Sequence, residues 1–140
     1  MQMDKTYWFP YFMLGVNLAL DGEPDEAFRV AQQAYEIAPW FKPIVGFYAA
    51  MLQRVGQTER ATELIEPLLA RAEYVDPIGP AIFHLVCGNL DATADWAERA
   101  IEQRQPAVLF FLNGHATALR NTARWPELAL ALNLPPAMPA

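Results

Sequence analysis

Three glycines divide this chain into similar segments, and their spacing constrains the fold more than any other feature. Gly22-Glu-Pro-Asp-Glu-Ala27, Gly56-Gln-Thr-Glu-Arg-Ala61 and Gly88-Asn-Leu-Asp-Ala-Thr93 each set a turn just before a helix start, and the glycines lie 34 and 32 residues apart. A period in this range belongs to a supersecondary unit that cannot bury its apolar face alone and must stack on its neighbours. Apolar residues on both sides of each turn recur at helical spacing, so each unit reads as two helices and no strand of weight is expected.

The helices are expected near residues 8–21, 24–38, 42–55, 58–74, 78–87 and 91–104, with connections short enough to make neighbours antiparallel. Pro67 lies inside Glu63-Leu-Ile-Glu-Pro-Leu-Leu69, where apolar periodicity continues beyond it, so it should kink that helix rather than end it. The third unit opens poorly, with Pro77, Gly79 and Pro80 in or near its first turn. Asp91 or Asn89 should cap the helix carrying Ala94, Trp96, Ala97, Ala100 and Ile101 on one face. Val108 to Leu112 reads as a short buried helix after Pro106.

At 140 residues, a single domain over 1–140 is expected, able to remove roughly two-thirds of its accessible surface from water. Hydrophobic residues form 54% of the chain, too many for disorder, yet no apolar run approaches the ~20 residues of a membrane span. The net charge of -6 argues against sequence-independent nucleic-acid contact, which needs many phosphate-neutralising Lys and Arg. No membrane association is expected either. The chain has no serine, which excludes Ser-nucleophile hydrolases, and its single cysteine, Cys87, cannot form an internal disulfide. With no secretory leader pattern at the N-terminus, the expected location is cytoplasmic.

Tyr11, Leu14-Gly15, Leu18, Gly22, Ala27, Ala31, Ala34 and Pro39 together resemble the tetratricopeptide repeat. That pattern runs as a large residue, Leu-Gly, another large residue, then Ala positions and a closing Pro. The first unit, Trp8 to Phe41, fits throughout. The second, 42–73, keeps Tyr48-Ala49, Leu52, Gly56, Ala61, Ile65 and Leu68, and the third spans 74–106. The resemblance implies an all-α fold, a right-handed superhelical stack of three hairpins, with residues 107–135 as a C-terminal cap. The last third, from Cys87 through Leu109-Phe-Phe-Leu112, Leu119-Arg-Asn121, Arg124-Trp125 and Leu132-Asn-Leu-Pro135, is similar to the C-terminal end of tetratricopeptide arrays in bacterial multidomain regulators. Those carry an upstream cyclase, kinase or winged-helix module. Here Asn133 replaces their usual Gly, and the Asp-Pro pairs flanking their Leu-Arg step are missing.

On this frame the first helices of the hairpins line a concave groove. Phe9, Phe12, Met13, Val16 and Leu20 come from the first, Phe47, Ala50, Gln53 and Arg54 from the second, and Ile78, Ile82 and Leu85 from the third. The family's groove for C-terminal carboxylates uses Lys and Asn where this chain has Phe12, Val16, Phe47 and Gly79, so that function does not carry over. An apolar groove accepts a hydrophobic or amphipathic peptide, or is covered by self-association or upstream repeats. Alternatively, a frame one residue off leaves several of these residues packed inside the hairpins. The expected function is non-catalytic protein–protein interaction with a protein or peptide partner, a homodimer being one option. The aromatic start at Tyr7, Trp8 and Phe9 suits self-pairing. Substituting Phe12 or Phe47 by Glu should then remove binding while leaving helical content intact.

The rival reading is a small helical enzyme or small-molecule-binding bundle. His84 and Cys87 share a helical face, but two ligands do not make a metal site, and Leu85, Val86 and Leu90 give the thiol apolar rather than cationic neighbours. Asp21, Glu23, Asp25 and Glu26 sit at a turn and a helix N-terminus, where negative charge is favoured for structural reasons. Arg99, Arg104, Arg120 and Arg124 read as a solvated face beside Glu98, Glu102 and Glu127. No metal, cofactor or catalytic group is expected.

Overall fold

A computed structural model describes residues 8–71, 77–105 and 107–132, all of them in helices and connecting turns, with no strand among them. Six helices make three hairpins: α1 (Trp8–Leu20) with α2 (Pro24–Ile37), α3 (Lys42–Arg54) with α4 (Thr58–Arg71), and α5 (Ile78–Val86) with α6 (Leu90–Glu102). The fold is all-α.

Each hairpin turns on the same backbone device. Gly22, Gly56 and Gly88 adopt φ of 85°, 90° and 85°, in the left-handed region where glycine carries no Cβ penalty. The N–H groups of Glu23, Gln57 and Asn89 then reach back to the carbonyls of Leu18, Leu52 and His84 at 2.9, 2.9 and 2.8 Å. These bonds satisfy carbonyls that a helix end would otherwise leave open. The next helix starts at once, on Pro24, Thr58 and Leu90, with Asn89 Oδ1 accepting from the Ala92 N–H at 3.1 Å as the cap of α6.

Burial separates two kinds of helix. In α3 every residue from Pro43 to Leu52 is buried, as a helix apolar all round must be. It packs on α2, α4 and α5 and is the hub of the molecule. In α2 and α6, by contrast, only a small-residue stripe is buried, Ala27, Val30, Ala31 and Ala34 in one and Thr93, Ala94, Ala97 and Ala100 in the other. Helix α4 continues through Pro67 as expected, while its expected extension over 72–74 lies outside the described residues.

Glycine allows the closest contacts in the stack. A Cβ on Gly15 would lie 2.7 Å from the Phe47 ring and 2.8 Å from Val30 Cγ1, so α1 leaves room for an aromatic ring of α3. The Leu-Gly step of the first unit therefore serves helix packing rather than a turn.

After α6 the chain changes character. Arg104 takes the left-handed place held elsewhere by glycine, at φ 56°, with the Gln105 N–H bonded to the Ala100 carbonyl at 2.9 Å. Then follow α7 (Ala107–Phe110), a π-helical turn over Phe111–His115, a 3-10 turn over Thr117–Asn121 and α8 (Trp125–Ala131). The π turn closes with the Ala116 N–H on the Phe111 carbonyl at 2.8 Å. The short helix expected at 108–112 thus runs on into a wider turn that ends on His115.

Candidate interaction surface

The face made by α1, α3 and α5 is where sequence placed the groove, and it is filled. Of the residues expected to line it, Phe12, Val16, Phe47, Ala50, Ile78, Ile82 and Leu85 are buried in the main core. Met13 is half-buried, and Phe9, Gln53 and Arg54 are exposed, as is Leu20. Helix α5 packs along α3 and also reaches α1, so the three inner helices converge. Arg54 points back across the molecule and donates to the Ala19 carbonyl at 3.2 Å, binding the end of α3 to the end of α1.

The chain's own late segment packs on α6 and reaches this face at His115. Val108, Phe111, Leu112, Ala116 and Leu119 are buried in one cluster with Phe12, Val16, Phe47, Ile82 and Leu85, and His115 is buried too. His115 marks the seat. Only 5% exposed, it sets Nδ1 3.3 Å from Asn17 Oδ1 and Nε2 3.1 Å from Met13 Sδ, with its ring 6.3 Å from that of Phe12. In the neutral tautomer bearing hydrogen on Nδ1, the ring donates to the Asn17 amide oxygen and turns its other nitrogen to the thioether. Burial lowers the His115 pKa from its ordinary value, because the imidazolium would have to exist away from water.

An aromatic chain leads from this seat to the surface. Phe12 lies 6.1 Å from Phe47 and 5.8 Å from Phe41, Phe41 lies 5.0 Å from Trp8, and Trp8 lies 5.3 Å from Trp40. Most pairs are edge-to-face, the arrangement that matches a ring's positive rim to another's negative face. Trp40 is 63% exposed and Phe9 44%, so the outer end of the chain is an apolar edge open to solvent. Tyr7 lies outside the described residues.

The remaining candidates are accounted for by local structure. Arg124 reaches Asp95 at 2.8 Å and Glu98 at 2.9 Å, pinning the start of α8 to α6, and these contacts raise its pKa. Arg99 lies 4.3 Å over Trp96 and Arg120 5.7 Å over Trp125. Asp25 and Glu26 occupy the first turn of α2, with Glu26 paired to Arg29. Burial lowers the His84 pKa against the opposing charge of Asp95, and it raises that of Cys87 against Arg54, so the thiol is held protonated rather than activated. Among the described residues, no three of His, Cys, Asp and Glu converge as metal ligands, and no helix is long and apolar enough to cross a membrane.

Sequence reasoning took residues 107–135 as a cap and missed the reach of His115 to α1. The signal was present in part: Val108, Phe111, Leu112, His115, Ala116 and Leu119 follow the spacing of one helical face. No family model matches this chain, and no curated protein or solved structure does.

Proposed function

We propose that this chain is a non-catalytic protein-interaction module of the tetratricopeptide type, in which the face of α1, α3 and α5 receives a short amphipathic helical segment. The observation that carries this reading is the seat of residues 107–119. Val108, Phe111, Leu112, Ala116 and Leu119 belong to the same buried core as the inner helices, and His115 is aligned against α1 by Asn17 and Met13. That is helix-in-groove recognition, here within one chain. The identical turns at Gly22, Gly56 and Gly88 support the finer architecture, a right-handed superhelical stack of three hairpins closed by α8. The likeness of the last third to regulator C-termini is in keeping with a cytoplasmic role in a larger bacterial regulatory protein.

A labelled peptide of residues 107–121, titrated into the whole chain, tests the reading by fluorescence anisotropy. The chain's own segment competes, so His115→Ala, which loosens that segment, should bind the peptide several-fold more tightly than the parent. Absence of saturable binding to either protein contradicts the reading.

A further inference from the structure

The late segment already reaches the inner face, at His115, and a second copy of the chain carries the same segment. The connection leading into it is short and strained. Helix α6 ends at Glu102, α7 begins at Ala107, and Arg104 between them holds φ 56°. A side chain in that region is disfavoured against the right-handed conformation, because its Cβ crowds the following carbonyl oxygen. Gly22, Gly56 and Gly88 avoid this cost at the other three turns of the same shape. Short connections under strain favour exchange of the element they hold, because opening the turn releases the strain while every other contact re-forms between chains.

We propose that two copies of this chain exchange residues 107–132, each seating its late segment on the inner face of the other. The contacts that would pass between chains are specific. His115 of one copy would meet Asn17 and Met13 of the other, and Arg124 would meet Asp95 and Glu98, pairs that join the late segment to the body at 2.8 to 3.3 Å. The exposed aromatic edge takes no part, so the exchanged dimer leaves Phe9 and Trp40 open. The exchange rests on the inner face being a receptor for a helical segment, which the peptide titration tests alone. Peptide binding without exchange overturns this proposal and leaves that reading standing.

The test uses the whole chain with Asp95→Cys and Arg124→Cys, exposed or half-exposed positions whose parent side chains touch, and with Cys87→Ala to remove the third thiol. The protein is unfolded, refolded at low and at high concentration, weighed by light scattering and treated with a short bis-maleimide. The expected result is a dimer that grows with refolding concentration and crosslinks between chains on a denaturing gel. Adding Arg104→Gly, which removes the strain of the closed turn without removing a contact, should weaken dimerisation about thirtyfold, which is ~2 kcal/mol over the two turns at about 1.4 kcal/mol per tenfold. A monomer at every concentration, a dimer whose crosslinks all lie within one chain, or a dimer indifferent to Arg104→Gly overturns the proposal. Parent-like circular dichroism of the Arg104→Gly protein certifies each comparison.

Discussion

Gly46 of α3 and Gly79 of α5 bring two helix backbones into contact: a Cβ on Gly46 would lie 2.0 Å from the Gly79 carbonyl oxygen. Because the obstacle is backbone and not the end of a flexible side chain, the helices must separate to admit even a methyl group. Gly46→Ala should cost about 3 kcal/mol, the upper part of the range for overpacked cores. Gly79→Ala should also destabilise, its Cβ meeting Leu68 Cδ2 at 2.6 Å and the Lys42 carbonyl at 2.9 Å. Urea unfolding of both variants, compared with Gly22→Ala at a solvent-open turn, measures the effect.

This contact explains a passage that was hard to read in sequence. Gly79 beside Pro77 and Pro80 looked like a poor helix start, and only the approach of α3 gives the glycine its purpose. The helices and hairpin turns were legible because glycine spacing and apolar periodicity are local signals. The accessibility of the groove was not. A repeat frame assigns Phe47 and Ala50 to an inner face, but α3 is apolar around its whole circumference, from Pro43 to Leu52, and has no open side there. The union of His115 with Asn17 joins residues 98 positions apart through a π-helical turn, which no local pattern announces.

The same burial changes what charged substitutions report. Phe47→Glu places a carboxylate in a fully enclosed site and should unfold the chain, with a loss above about 4 kcal/mol, rather than leave a folded protein that fails to bind. Trp40→Glu, at the exposed end of the aromatic chain, should alter stability by less than about 1 kcal/mol. Thermal melts followed by circular dichroism separate the two.

His115 should make stability depend on pH. Burial holds its folded pKa below the ordinary 6.5, and the groups facing it on α1, Phe12, Met13 and Asn17, carry no charge. The unfolded chain therefore takes up the proton first. The stability contribution is full above pH 6.5 and declines as pH falls through that value toward the folded pKa. His84 is shifted the same way by burial, so a residual slope will remain. Urea midpoints at pH 7.5 and pH 5 should differ more for the parent than for His115→Gln.

Arg104 offers a stabilising change. Replacing it with glycine frees the left-handed turn of its Cβ penalty and should raise stability by about 1 kcal/mol, whereas Gly56→Ala, at φ 90°, should lower it by a similar amount. Denaturant midpoints with an unchanged slope would attribute both effects to the native turn.

The seating of the late segment on the inner face is open to direct observation by nuclear Overhauser spectroscopy. With methionine methyls labelled and Met13 assigned through Met13→Leu, the Met13 methyl should show cross-peaks to the His115 ring protons, and Phe12 should show cross-peaks to the same ring. Dispersed, folded spectra lacking every contact between residues 12–17 and His115 would contradict the account.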